Sequence, residues 1–171
     1  EETLNKIIAE LDEGMIRQFN ERFGLISKQF DKTVKELFGG GLGRLDLKDS
    51  ADVLETDIAI TVEPPGRKLQ NINLLSGGER ALTAICLLFA IQNLKPSPFC
   101  LLDEIEASLD ENNVVRFATY LRKLTKSTQF VVITHRRGTM SLADRLYGIT
   151  MMEKGISTLV SVNLIENALD N

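Results

Sequence analysis

Cysteine and histidine are scarce in this 171-residue chain: there are two of the first and one of the second. Cys86 and Cys100 both lie in apolar runs, and no further Cys or His stands at zinc-ligand spacing, which speaks against a zinc site and for a buried, reduced, structural thiol pair. An excess of positive charge is also missing. With a formal net charge of -4 and 26% charged residues, no global basic field is available to draw in nucleic acid, and any such contact must come from a local patch. Arg67-Lys68, the group Arg122, Lys123 and Lys126, and Arg136-Arg137 are the candidates. Neither a charged-then-apolar leader nor an apolar run of membrane-spanning length occurs, which predicts a cytoplasmic protein without membrane contact. There are no repeats and no low-complexity tract.

Hydrophobic residues make up 43% of the chain, enough for one domain-sized core. From Leu4 to Phe38 the residues Ile8, Leu11, Met15, Phe19, Phe23, Ile26, Phe30, Val34 and Leu37 recur at steps of three or four, one face of a long helix. At the rise of an α-helix it would run roughly 50 Å, longer than a usual globular helix. Gly14 and Gly24 inside it weaken it, so packing on a partner is expected to hold it together.

Gly39-Gly40-Gly41 stops the helix, and the alternating runs Arg44 to Leu47 and Asp57 to Val62 read as half-buried antiparallel strands, closed by a turn at Pro64-Pro65-Gly66. Beyond Asn73 the pattern changes. A helix from Gly78 to about Leu94, a strand from Phe99 to Leu102, a helix from about Asn112 to Leu124 and a strand from Phe130 to Thr134 alternate, which predicts α/β architecture with a parallel sheet. Leu146 to Met152 and Ile156 to Val162 read as a terminal hairpin around Glu153-Lys154-Gly155.

Four short motifs carry the chemistry. The strand Phe99-Cys100-Leu101-Leu102 ends in Asp103-Glu104, and ligands of α/β sheets bind at the carboxyl ends of such strands. One carboxylate can hold a water of a Mg²⁺ ion on nucleotide phosphates while its neighbour orients and deprotonates an attacking water. Leu75-Ser76-Gly77-Gly78-Glu79 precedes a helix, placing a hydroxyl and glycine amides at a helix amino terminus, an anion-binding arrangement that the Ser76 to Glu79 spacing equally marks as a capping box. Ala107-Ser108-Leu109-Asp110 follows the carboxylates, and the next strand leads to His135. Each signal is weak alone, but their order, with a helix filling each gap, is specific.

LSGGE, FCLLDE, SLD and VITH resemble the signature motif, Walker B motif, D-loop and H-loop of ABC-type ATPases, and the wording LSGGERALTAICLLFAI and LLDEIEASLDENNV is closest to the heads of SMC proteins. Glu79, Ile105 and Glu106 depart from the transporter pattern; Ser108 stands where SMC heads commonly have Ala. The resemblance implies the carboxy-terminal lobe of an ABC-type head, residues 39–171, preceded by a coiled-coil neck helix, residues 1–38. It further implies that Asp103 binds Mg²⁺ through water, that Glu104 and His135 are catalytic, and that Ser76, Gly77, Gly78 and Glu79 contact ATP held by a second head, with Asp110 in the D-loop. The Gly-x-x-x-x-Gly-Lys-Ser/Thr loop that cradles phosphates does not occur in these residues. The chain alone is therefore expected not to hydrolyse ATP, and to need the amino-terminal half of the same head.

The partners implied are that half, a second head, a kleisin subunit and, through the assembled complex, DNA, in chromosome condensation and segregation at the nucleoid. Two other readings stand beside this one: the head half of a related repair ATPase of RecN or zinc-hook type, and a kleisin-docking module in which catalysis is secondary.

Overall fold

The computed structural model describes residues 2–48 and 56–163; the side chains of Leu4 and Ile8 in the long apolar stripe, and residues 164–171, lie outside what it describes. The stripe forms helix α1, Glu2–Phe38. Its two ends differ. Phe30, Val34 and Leu37 are fully buried, whereas Leu11 and Met15 are exposed, so among the described residues it is the carboxyl-terminal part of the stripe that meets the core. The helix stops where Gly39 takes a left-handed conformation, φ 74°, and the Gly40 N–H reaches back to the Lys35 carbonyl at 2.8 Å. This six-to-one bond is a Schellman end, and glycine takes the left-handed position without steric cost.

The chain then forms β1, Leu42–Leu47, which pairs antiparallel with β2, Ile58–Glu63, as the alternating pattern predicts. The Pro64-Pro65-Gly66 turn, closed by Arg67 N–H to Pro64 O at 3.0 Å, leads to the two-residue β3, Gln70–Asn71, on the other edge of β2. After a single 3-10 turn, Ile72–Leu74, comes α2, Gly77–Leu94. The unit β4, Phe99–Asp103, then α3, Glu111–Leu124, then β5, Gln129–Ile133, returns the chain parallel to itself. A four-residue helix α4, Arg137–Met140, precedes the antiparallel hairpin of β6, Arg145–Glu153, and β7, Ile156–Asn163.

Aromatic stacking joins α2 to α3: the Phe89 ring lies 5.8 Å from Phe117 and 5.4 Å from Tyr120, between centroids. The Tyr120 hydroxyl accepts from Asn93 Nδ2 at 2.9 Å and lies 3.2 Å from Thr33 Oγ1, which ties α1, α2 and α3 together at one buried point.

The α/β class holds, but parallel pairing is narrower than the sequence suggests. Among the described residues only β4 and β5 pair parallel; the other pairings are antiparallel and belong to separate small sheets. The reason is visible on the strands themselves. Purely parallel strands are normally covered on both faces. Here Leu102 is buried and Cys100, Phe130 and Val132 are half-buried on one side. On the other side Phe99, Leu101, Val131 and Ile133 are 65, 60, 49 and 50% exposed. The cysteine expectation holds for Cys86, which is buried, with its thiol pushed far above the usual range by burial; Cys100 is only half-buried, and both are free. Among the described residues, no helix is long and apolar enough to cross a membrane.

Candidate functional site

Ser76 is the N-cap of α2, and both halves of a capping box form around it. Its hydroxyl accepts from the Glu79 N–H at 3.4 Å and lies 2.7 Å from Glu79 Oε2, to which it donates; the Ser76 N–H donates to the same oxygen at 3.1 Å. The Arg67 guanidinium reaches both Glu79 oxygens at 3.2 and 3.3 Å. The Ser76 hydroxyl bond holds the Glu79 carboxyl below its ordinary range, opposed by partial burial and aided by the Ser76 N–H and Arg67.

Gly77 and Gly78 form the first turn of α2. A Cβ on Gly78 would sit 3.1 Å from the Ser108 carbonyl oxygen, so glycine lets the segment after β4 lie against the start of α2. That segment ends at Asp110, the N-cap of α3, whose carboxylate accepts from the Asn113 N–H at 3.0 Å and from Asn113 Nδ2 at 2.6 Å. Ser76, Gly78, Glu79, Ser108 and Asp110 thus line one open cleft of about 520 Å³, with Arg67 and Arg116 on its wall. Two motifs separated in sequence meet there.

Asp103, Glu104 and His135 form a second group and do not line that cleft. Asp103 is the last residue of β4, and the Glu104 N–H extends the strand register by bonding the Ile133 carbonyl at 3.0 Å. Glu104 is the one non-glycine residue with positive φ among those described, at 47°. Holding an L residue there costs about 1–3 kcal/mol, a strain often found at functional positions. Its Oε1 lies 3.4 Å from His135 Nδ1, and both side chains are more than half exposed. His135 stands two residues past the end of β5, on the loop leading to α4. No three His, Cys, Asp or Glu side chains among the described residues converge as a metal site. Two adjacent exposed carboxylates at a strand end fit a Mg²⁺ ion whose remaining ligands are waters and phosphate oxygens, in the way such ions are usually held.

Three of the seven basic candidates are held in ion pairs. Arg67 pairs with Glu79, Lys123 with Glu36 at 2.6 Å while lying over the Tyr120 ring, and Arg136 with Glu111 at 3.1 Å. Sequence reasoning had no reason to place Glu106, Thr134 and Thr139 together at the base of this group. Glu106 is fully buried, and its Oε1 accepts from the hydroxyls of Thr134 and Thr139, at 2.5 and 2.9 Å.

Residues 48–158 match the family described as RecF/RecN/SMC N terminal domain. The chain belongs to this family. It is 57% identical over 164 residues to the chromosome partition protein Smc of Bacillus subtilis (strain 168), covering 96% of this chain and 14% of that protein. The Smc of Desulfitobacterium hafniense (strain Y51) is also 57% identical, over 163 residues and again 14% of its length. This SMC-family chain therefore spans about one seventh of the curated relatives it matches.

Its fold is that of solved Smc heads. A Pyrococcus furiosus Smc head domain with an extended coiled coil, bound to the C-terminal domain of ScpA, superimposes with a TM-score of 0.87 at 38% identity, covering 98% of this chain and 42% of that one. A chain from structural biochemistry of ATP-driven dimerization and DNA-stimulated activation of SMC ATPases gives 0.81 at 38% identity, covering 90% of this chain and 92% of that one.

Proposed function

We propose that this chain is the carboxy-terminal half of an SMC ATPase head, with residues 1–38 as the neck helix and residues 39–171 as the lobe that carries the catalytic motifs. The family description speaks of an N-terminal domain, yet the motifs present here are LSGGE, Asp103-Glu104, SLD and His135, and the Gly-x-x-x-x-Gly-Lys-Ser/Thr loop does not occur in the 171 residues. The observation that carries the proposal is the bare apolar face of β4 and β5: Phe99, Leu101, Val131 and Ile133 are exposed on a parallel pair that needs cover on both sides. The amino-terminal half of the same head is the occupant we assign to it.

In the assembled head Glu104 accepts the proton of the attacking water, and His135, 3.4 Å from it, orients the same centre. Asp103 would hold a Mg²⁺ ion through water, and that ion would supply charge neutralisation on the ATP phosphates. Ser76, Gly77, Gly78 and Glu79 act on ATP bound to a second head, a reading supported by the capped start of α2, where Ser76, Gly78 and Glu79 line the open cleft beside Asp110. Hydrolysis then requires two heads to engage, and its completion lets them part, an ATP-gated clamp in chromosome condensation and segregation. A kleisin subunit and DNA are the partners of the assembled complex; a solved Smc head bound to the C-winged helix domain of ScpA, 40% identical with a TM-score of 0.81, supports the kleisin.

The test is assembly. The double variant Leu101→Asp, Val131→Asp changes residues exposed in this chain, where surface substitutions cost little. On the covered face it buries two charges at several kcal/mol each. Co-purification with the amino-terminal half is expected to fall at least about tenfold. Undiminished co-purification means that this face is not the contact.

A further inference from the structure

Glu106 is an anomaly on physical grounds: acidic side chains are almost never fully buried unless paired, and this one is 0% exposed. Among the described residues it has no cationic partner. Its Oε1 collects both threonine hydroxyls, and its Oε2 is buried with no hydrogen-bond partner. An apolar side chain of similar volume would fill the space without desolvating a carboxyl group.

The donors explain the choice. Thr134 and Thr139 stand on either side of His135 in the chain, and both point at one oxygen of a residue that follows Glu104 by two positions. The Thr134 hydroxyl also accepts the Arg136 N–H at 3.0 Å, so its own proton is committed to Glu106. Arg136 answers from the other direction. Its guanidinium donates to the Ala107 carbonyl at 3.3 Å and to Glu111 at 3.1 Å, binding the segment after Glu104 a second time. The loop of Glu104 and the loop of His135 are otherwise joined here by one backbone bond, Glu104 N–H to Ile133 O, together with the 3.4 Å contact between the two side chains.

We propose that Glu106 is a positioning residue: by gripping Thr134 and Thr139 from beneath, it fixes the loop carrying His135 against the loop carrying Glu104. Its effect on hydrolysis rests on the function proposed above, but its effect on His135 does not. His135 is the only histidine in the chain. Isotope-labelled chain reconstituted with an unlabelled amino-terminal half therefore gives one set of imidazole signals.

Glu106→Ala is expected to shift or broaden those signals and to lower kcat at least tenfold with the KM for ATP within about twofold, as for a group acting only through the catalytic pair. Glu106→Gln keeps an acceptor oxygen for the threonines and restores both readouts. A folded Glu106→Ala head with unchanged imidazole signals and unchanged kcat overturns the proposal. If Glu106→Ala does not fold, Thr139→Val, which removes a single hydroxyl, decides in the same way. Retained hydrolysis in Glu104→Gln would sink the catalytic reading alone, because the His135 signals still report on the latch.

Discussion

Replacing Glu104 by Gln is expected to lower kcat for ATP hydrolysis in the assembled head by roughly 10²- to 10⁴-fold, the usual worth of a general base. The side chain keeps its shape and can still meet His135, which lies 3.4 Å away. The left-handed backbone at Glu104 is retained as well, since glutamine and glutamate pay the same steric cost at φ 47°. What is lost is the ability to take a proton from water. Nucleotide binding and engagement of two heads are therefore expected to survive, and the engaged state to accumulate because nothing ends it. Steady-state hydrolysis measured beside size-exclusion chromatography in ATP separates these effects. Hydrolysis within about threefold of wild type would remove Glu104 from the role of base.

The second large effect is expected at Ser76. Ser76→Arg places a long cation at the start of α2, in a cleft that Arg67 and Arg116 already line. It also removes the capping box, at about 0.5–2 kcal/mol of helix stability. Loss of a cap alone does not abolish an activity, so the informative comparison is Ser76→Asp, which keeps an N-cap acceptor but sets a negative charge where phosphate is to bind. Both variants are expected to lose roughly 10²-fold in hydrolysis, the order found when a donor to a developing anion is removed; both also lose the hydroxyl's bond to Glu79, and only the aspartate variant keeps an acceptor for the Glu79 N–H. Mixing either with wild-type heads extends the test, because on the proposed function Ser76 acts on the nucleotide of the other head. Full activity in Ser76→Asp would assign this cap to folding alone.

Much of this molecule is legible from side-chain periodicity. The stripe ending at Phe30, Val34 and Leu37 gave α1, the alternation in 44–47 and 57–62 gave the β1–β2 pair, and the Ser76 to Glu79 spacing gave a capping box that the structure contains. Those features are local: each depends on residues a few positions apart. The features that were not legible depend on which residues lie beneath others. Glu106 reads as one more acid in DEIEASLD, and nothing in its neighbours announces that two threonines near His135 will converge on it. The apolar run Phe99 to Leu102 announces burial on both faces, whereas half of it is bare in this chain, because periodicity does not say which polypeptide provides the cover. Helix α4 was missed because Arg137–Met140 is a single turn, too short for a periodic signal.

The central claim, half a head whose signature motif works on a second one, is tested most directly by ATP hydrolysis measured over a range of protein concentrations, for this chain alone and after co-expression with the amino-terminal half. The account predicts no hydrolysis by the chain alone and a rate that rises faster than linearly with concentration for the two halves together. Hydrolysis by the chain alone, or a strictly linear rate from the assembled halves, would contradict it.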